Sequence, residues 1–135
     1  MGITEYLSHK SHSKSYAMLI YNEKLSVSPL TTHIPLKKVS TKITKKLIVE
    51  KVKLIDIFFK KIIKKKAKIA ITGLNPHCES IDSFDEDNKI IRPAVKYLTK
   101  LKLNVFGPYA ADTIFLKKNR KKFDVIVGMY HDQVL

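Results

Sequence analysis

Lys68-Ile69-Ala70-Ile71, continued by Thr72-Gly73-Leu74-Asn75-Pro76-His77, is the stretch on which the reading of this fold turns. A short apolar run with β-type character ends in a polar loop, and the loop carries an imidazole. The pattern returns near the end of the chain, where Asp124 to Val127 leads into Gly128-Met129-Tyr130-His131-Asp132-Gln133. A third peptide of this kind, Thr31-Thr32-His33-Ile34-Pro35-Leu36, follows the strand-like segment Lys24 to Pro29. Imidazoles just past the carboxyl ends of strands stand where open α/β sheets bind ligands.

Working outward, strand-like and helix-like segments alternate, which predicts an α/β fold with a mostly parallel sheet flanked by helices. Ser8 to Ser15 is polar and reads as a loop, and Tyr16 to Tyr21 reads as a buried strand. From Ser40, read as an N-cap, Ile43, Leu47, Ile48, Val52, Ile55, Phe59 and Ile62 recur at helical spacing and predict one long amphipathic helix. The lysines between Lys60 and Lys68 read as its solvated terminus, where cations complement the helix dipole. Ser83-Phe84-Asp85-Glu86 matches a capping box ahead of Ile90, Ile91, Ala94, Val95, Leu98 and Leu101, with Pro93 starting or kinking that helix. Asn104 to Phe106 is a short strand, Gly107-Pro108 a turn, and Ala111 to Lys122 a basic helix leading to the last strand.

With 135 residues, 44% of them hydrophobic, the chain is long enough to bury a core. A domain of that size hides roughly 65–70% of its unfolded surface. Cys78 is the single cysteine, so no internal disulfide forms. No basic-then-apolar leader opens the sequence and no apolar run approaches the ~18 residues of a membrane span, so a soluble, cytoplasmic protein is expected, with no membrane partner. The formal charge of +14 raises nucleic acid as a partner. Of the 26 basic residues, however, only Arg92 and Arg120 are arginine, the side chain that reads guanine and phosphate in bidentate fashion. Lysine excess with many Ile and Asn is what an AT-rich coding background produces on solvated faces, and no nucleic-acid partner is expected.

Both ends read as open. Nothing precedes Met1-Gly2-Ile3-Thr4-Glu5, and Leu135 follows directly on the His131 loop, before a helix completes the last crossover. The expectation is that residues 1–135 form one partial α/β region of a larger protein, or a truncated reading frame.

Three imidazoles leaving an open position suit a catalytic divalent cation, although each histidine taken singly is also a common loop residue. Asn75 and Asp132 flank two of the three and are candidates to orient an imidazole or a substrate, or to cap a turn. Asp112 lies where a helix should begin and is either an N-cap or a site residue. Cys78 offers a thiolate or a small apolar filler, and His9 and His12 read as solvated. No glycine-rich dinucleotide fingerprint, P-loop, paired-cysteine motif or nucleophile elbow is present.

The peptides Thr31 to Leu36, Gly73-Leu74-Asn75-Pro76-His77, Gly107-Pro108 with Ala111-Asp112-Thr113, and Met129-Tyr130-His131-Asp132-Gln133 closely resemble those of 4-hydroxythreonine-4-phosphate dehydrogenase, in the same order and spacing. The resemblance runs through nearly the whole chain. It implies a homodimer with a fold like that of isocitrate and isopropylmalate dehydrogenases, NAD bound without the glycine fingerprint, and a zinc, cobalt or magnesium ion held by His33, His77 and, across the dimer interface, His131. It implies oxidation with decarboxylation of 4-phosphohydroxy-L-threonine to 3-amino-2-oxopropyl phosphate on the way to pyridoxal phosphate, with Thr4 contacting substrate.

The chain departs from the family in two places. Ile3 stands where the family has a substrate-contacting histidine, and Cys78-Glu79-Ser80-Ile81-Asp82 replaces a glycine-rich stretch. The family's substrate-binding Lys, Asn and Arg fall beyond Leu135 and part of its first lobe before Met1, so the isolated chain is expected to show little or no activity. The alternatives are a dehydrogenase of another phosphorylated hydroxy acid, a non-catalytic remnant, and a basic nucleic-acid-binding module.

Overall fold

The computed structural model describes residues 16–32, 34–75 and 86–134. Strand β1 (Ser26–Pro29) leads through a 3-10 turn (Leu36–Lys38) to the short helix α1 (Val39–Lys42) and then to α2 (Lys45–Phe58). Strand β2 (Lys68–Thr72), helix α3 (Arg92–Lys100), strand β3 (Asn104–Tyr109), helices α4 (Ala111–Ile114) and α5 (Lys117–Arg120), strand β4 (Val125–Gly128) and helix α6 (His131–Val134) follow. The four strands form one sheet in the order β1-β4-β2-β3, and every pairing is parallel. The α/β class with a parallel sheet is therefore as expected.

The two inner strands have the continuous apolar character that burial on both faces demands. Ile69, Ala70 and Ile71 of β2 pair with Val125, Ile126 and Val127 of β4, and all six are fully buried. Because successive side chains alternate between faces, Ile69, Ile71, Val125 and Val127 join Ile48, Val52 and Ile55 of α2 and Ala94, Val95 and Leu98 of α3 in the main core. Ala70 and Ile126 point the other way, against Ile114 of α4, with Phe115, Phe123 and Val134 packed around them.

Several local expectations are corrected. Tyr16 to Tyr21 is not a strand: Ile20 makes one antiparallel bridge to Val27, and Ile20 and Tyr21 are exposed. The cause is a bend at Asn22–Lys24, held by the Lys24 N–H on Asn22 Oδ1 (2.9 Å) and the Asn22 N–H on Ser26 Oγ (3.0 Å), so the segment meets β1 at one point. The same bend delays the start of β1 to Ser26. The long helix does not begin at Ser40, which lies within α1. Ile43 is extended, and Thr44 is the N-cap, its hydroxyl accepting from the Leu47 N–H at 3.0 Å. The stripe ends at Phe59, since Ile62 is exposed in a closing π-type turn.

Pro93 starts α3 from within its first turn, after a π-type turn at Asp87–Ile91, and Leu101 lies beyond that helix, exposed. The residues Ser83 to Asp85 of the anticipated capping box lie outside those described. Gly107-Pro108 is not a turn but part of β3. Gly107 has φ +136° and runs so close to β2 that a Cβ there would lie 2.4 Å from the Ile71 carbonyl oxygen, a position open only to glycine. The predicted helix from Ala111 to Lys122 is two short ones, because Leu116 is extended and the Asn119 side chain donates to the Thr113 carbonyl (2.8 Å) where a continuous helix would run.

The lysines after α2 are largely solvated, as expected. Lys60 pairs with Asp56 (2.9 Å) and Lys65 with Asp124 (2.6 Å), whose second oxygen accepts the Lys68 N–H at the start of β2.

Candidate active-site edge

Parallel pairing sends every strand out at the same edge of the sheet, and β4 lies between β1 and β2. The exits that lead to the three histidine peptides are therefore neighbours. Strand β1 leaves through Leu30-Thr31-Thr32 toward position 33, β4 through Met129-Tyr130 to His131, and β2 through Gly73-Leu74-Asn75 toward position 77. Asp112 follows β3 at this edge as well, beside the exit of β2.

The exits are joined by hydrogen bonds that continue past the regular ladder. The Leu30 N–H donates to the Gly128 carbonyl at 2.7 Å, and the Thr31 N–H and hydroxyl both donate to the Met129 carbonyl, at 3.3 and 2.7 Å. Met129 is fully buried and Thr31 nearly so, which makes the hydroxyl bond an internal tie between the first and third histidine peptides. On the other side of β4, Gln133 Oε1 accepts from the Met129 N–H (2.6 Å) and the Thr72 hydroxyl (2.8 Å), while its Nε2 donates to the Gly73 carbonyl (2.7 Å). Gly128 allows α6 to sit this close, since a Cβ there would meet the Val134 side chain at 2.3 Å.

The loop leaving β2 is gripped by Asp87. This carboxylate is fully buried and accepts the Leu74 N–H (2.7 Å), the Asn75 N–H (3.2 Å) and Asn75 Nδ2 (3.0 Å). Asn75 Nδ2 also reaches Glu86 Oε2 at 3.1 Å. A charge removed from water needs such donors, and here they are the backbone of the loop that precedes position 77. Beside the exit of β1 lies a cleft of about 190 Å³ between Thr31, Thr32 and Ile34 on one side and Lys42, Leu47 and Lys51 on the other. Lys51 donates to the Tyr16 carbonyl and sits 4.3 Å from the centre of the Tyr16 ring, closing one end.

His131 is the first residue of α6 and is exposed at this edge. Asp132 is the second residue of that helix. Asp112 is exposed in the first turn of α4, whose N-cap is Ala110, so of its two expected readings the N-cap one is corrected. Asn75 is placed by its amide on Glu86 and Asp87, holding its own loop to the start of the next helical segment. Ile3, Thr4, His33, His77 and Cys78 lie outside the described residues, as do His9 and His12. Among the described residues no group of three or more His, Cys, Asp or Glu is gathered to hold a metal. Asp87 and Gln133 are absent from the expected site residues. Gln133 was visible as a member of the His131 peptide, whereas nothing local marks Asp87.

The whole chain, residues 1–135, matches the family model described as pyridoxal phosphate biosynthetic protein PdxA. A 4-hydroxythreonine-4-phosphate dehydrogenase of Sulfurihydrogenibium sp. (strain YO3AOP1) is 47% identical over 137 residues, covering 99% of this chain and 42% of the relative. A D-threonate 4-phosphate dehydrogenase of Salmonella typhimurium is 36% identical over 133 residues, covering 98% of this chain and 41% of the relative. The crystal structure of a 4-hydroxythreonine-4-phosphate dehydrogenase from Klebsiella pneumoniae superposes with a TM-score of 0.86 at 35% identity, over 98% of this chain and 41% of that one. The chain thus spans about two-fifths of the length of the relatives it matches. With a family match along its whole length and a parallel sheet shared with a solved relative, this chain belongs to the PdxA family of pyridoxal phosphate biosynthetic proteins.

Proposed function

We propose that the chain forms part of an NAD-dependent, divalent-metal-assisted dehydrogenase that oxidises and decarboxylates 4-phosphohydroxy-L-threonine to 3-amino-2-oxopropyl phosphate in pyridoxal phosphate biosynthesis, in the cytoplasm. The observation that carries this reading is the family match over residues 1–135; the exits of β1, β4 and β2, which lead toward the three histidine peptides, lie at one edge of the sheet. Family membership and the 47% identical relative support the substrate.

The donor set fits a divalent ion. His33 and His77 of one subunit and His131 of its partner in a homodimer would hold it, and three imidazoles favour zinc or cobalt over magnesium. When bound, the ion supplies Lewis acidity to a substrate hydroxyl. The chain's own side chains support it. Thr4 contacts substrate, Asp112 and Asp132 support the site by orienting an imidazole or substrate, and Thr31, Gln133 and Asp87 hold the strand exits that lead to the ligand peptides.

A second reading, oxidation of another phosphorylated hydroxy acid, is favoured by the 36% identical relative named a D-threonate 4-phosphate dehydrogenase and by Ile3 in place of the family histidine. One experiment separates the two. The chain alone is expected to give little or no NADH. Joined to the flanking portions of the 47% identical relative, it should reduce NAD with 4-phosphohydroxy-L-threonine. Turnover of D-threonate 4-phosphate alone would establish the second reading, and a folded hybrid that turns over neither would overturn both.

A further inference from the structure

A parallel sheet has two unlike edges, and the second is formed where the chain enters the strands. Ser26 pairs with Val125, Ile69 with Val125 and Lys68 with Asn104, so the entries to β1, β4, β2 and β3 lie side by side. Asp124 fastens two of them, its carboxylate accepting from Lys65 Nζ at 2.6 Å and from the Lys68 N–H at 2.8 Å. Helices α2 and α3 both end at this edge, each leading into the next strand.

The entries are built largely of lysine. Six lysines lie from Lys60 to Lys68 at the entry to β2, with Lys100 and Lys102 before β3, Lys121 and Lys122 before β4, and Lys24 before β1, all of them exposed. Among the described residues the acids here are Glu23 and Asp124, with Asp56 buried behind Lys60, whereas Glu86, Asp87, Asp112 and Asp132 belong to the carboxyl edge. Codon drift does not account for where these lysines stand. Lys64 (φ 63°) and Lys102 (φ 71°) occupy left-handed positions just past the ends of the two helical segments, where glycine or asparagine is favoured. Asparagine codons are as AT-rich as those of lysine, so a coding bias alone would not choose the strained residue.

Apolar surface is set among the charges. Ile62, 66% exposed, follows Lys61, and Leu101, 41% exposed, lies between Lys100 and Lys102. Nucleic acid is read by bidentate arginine and by stacked rings, and it has no use for aliphatic side chains between its phosphates. Here the cations are lysine, apart from Arg120 ahead of Lys121. Hydrated point charges interleaved with aliphatic groups match a bilayer surface, where lysines meet anionic headgroups and apolar side chains enter the headgroup layer. No helix among the described residues is long and apolar enough to cross a membrane, which bears on spanning a bilayer and not on lying against one.

We propose that the amino edge of the sheet is a docking surface for an anionic phospholipid bilayer, with Ile62 and Leu101 entering the headgroup layer amid the lysines. Docked in this way, the carboxyl edge with His131 faces away from the lipid, because the two edges lie at opposite ends of the strands. Nothing in this requires a bound metal.

The test is sedimentation of the 135-residue chain with vesicles of phosphatidylserine and phosphatidylcholine in about a 1:2 ratio, compared with phosphatidylcholine alone. The chain should bind the first and not the second, and raised salt should release it. Lys61→Gln/Lys64→Asn/Lys66→Gln should lower the partition coefficient about a hundredfold, roughly fivefold per charge. Ile62→Ser should lower it about fivefold with no change in charge. Every side chain replaced is exposed, so far-UV circular dichroism should not change. Lys37→Gln/Lys38→Gln/Lys46→Gln removes the same charge from the other end of the molecule. Lys46 lies roughly 25 Å along α2 from the docked edge, beyond the Debye length of about 10 Å, and this variant should bind within about threefold of wild type. Equal losses in the two triple variants would reduce the effect to overall charge and overturn the proposal, as would equal binding to phosphatidylcholine alone. Tighter binding to oligouridine RNA than to the vesicles, lost in the Lys61 triple variant and indifferent to Ile62→Ser, would overturn it in favour of nucleic acid.

Discussion

The middle of the sheet and its carboxyl edge are built from different materials. In the middle, Ile69, Ala70 and Ile71 lie against Val125, Ile126 and Val127, fully buried, with the backbone satisfied by the parallel ladder. At the edge the regular ladder stops, a few backbone bonds continue, and side chains add to them: Thr31 to the Met129 carbonyl, Gln133 to Thr72, Gly73 and Met129, Asp87 to Leu74 and Asn75. Apolar packing is non-directional and tolerates small shifts. Polar ties to named backbone atoms do not, which suits an edge proposed to present metal ligands.

Substitutions can break or sharpen that contrast. The largest loss of stability is expected from Ile126→Ala, which opens a cavity between β4 and the face covered by α4, at a cost of about 4 kcal/mol in urea unfolding. Co²⁺ affinity should survive wherever the protein stays folded, because no edge tie is touched. Asp87→Ala should cost about 3 kcal/mol by leaving the Leu74 and Asn75 N–H groups without their acceptor. Unlike the core variant, it should also weaken Co²⁺ binding, and equal affinity in the two variants would erase the distinction between middle and edge. Thr44→Ala, which removes the N-cap of α2 and touches none of the ties between the strand exits, should cost about 1 kcal/mol with no change in metal binding. The smallest effect is expected for Lys65→Gln, since its pair with Asp124 is solvent-exposed: below about 0.5 kcal/mol and vanishing in high salt, as thermal melts at two ionic strengths would show.

How far the fold could be read ahead of the structure follows the same division. β2 and β4 were legible because a buried parallel strand announces itself as a local apolar run, and the centre of α2 because Ile48, Val52 and Ile55 repeat at helical spacing. The element ends were less legible. Thr44 rather than Ser40 caps α2, Leu116 divides the helix after β3, and Gly107-Pro108 stays in the sheet because its backbone must pass close to Ile71. Tyr16 to Tyr21 has the composition of a strand but only one bridging residue, because the bend after it turns the chain off the edge of β1.

For the candidate site, the peptides around His33, His77 and His131, with Asn75, Asp112 and Asp132, could be named from local chemistry, and Thr4 from the family resemblance. Their supports could not. Gln133 reaches Thr72 across 61 positions in sequence and Gly73 across 60, and Thr31 reaches Met129 across 98. No periodicity or motif encodes a pairing of that length.

Sequence by itself determined the apolar strands, the helical stripe, the histidine peptides and the family likeness, since each depends on residues close together along the chain. The strand order β1-β4-β2-β3 was decided only in three dimensions, and with it the fact that the three histidine-bearing exits are neighbours. So were the roles of Asp87 and Gln133. A buried polar group takes its function from the partners that packing brings to it, and those partners come from distant parts of the chain.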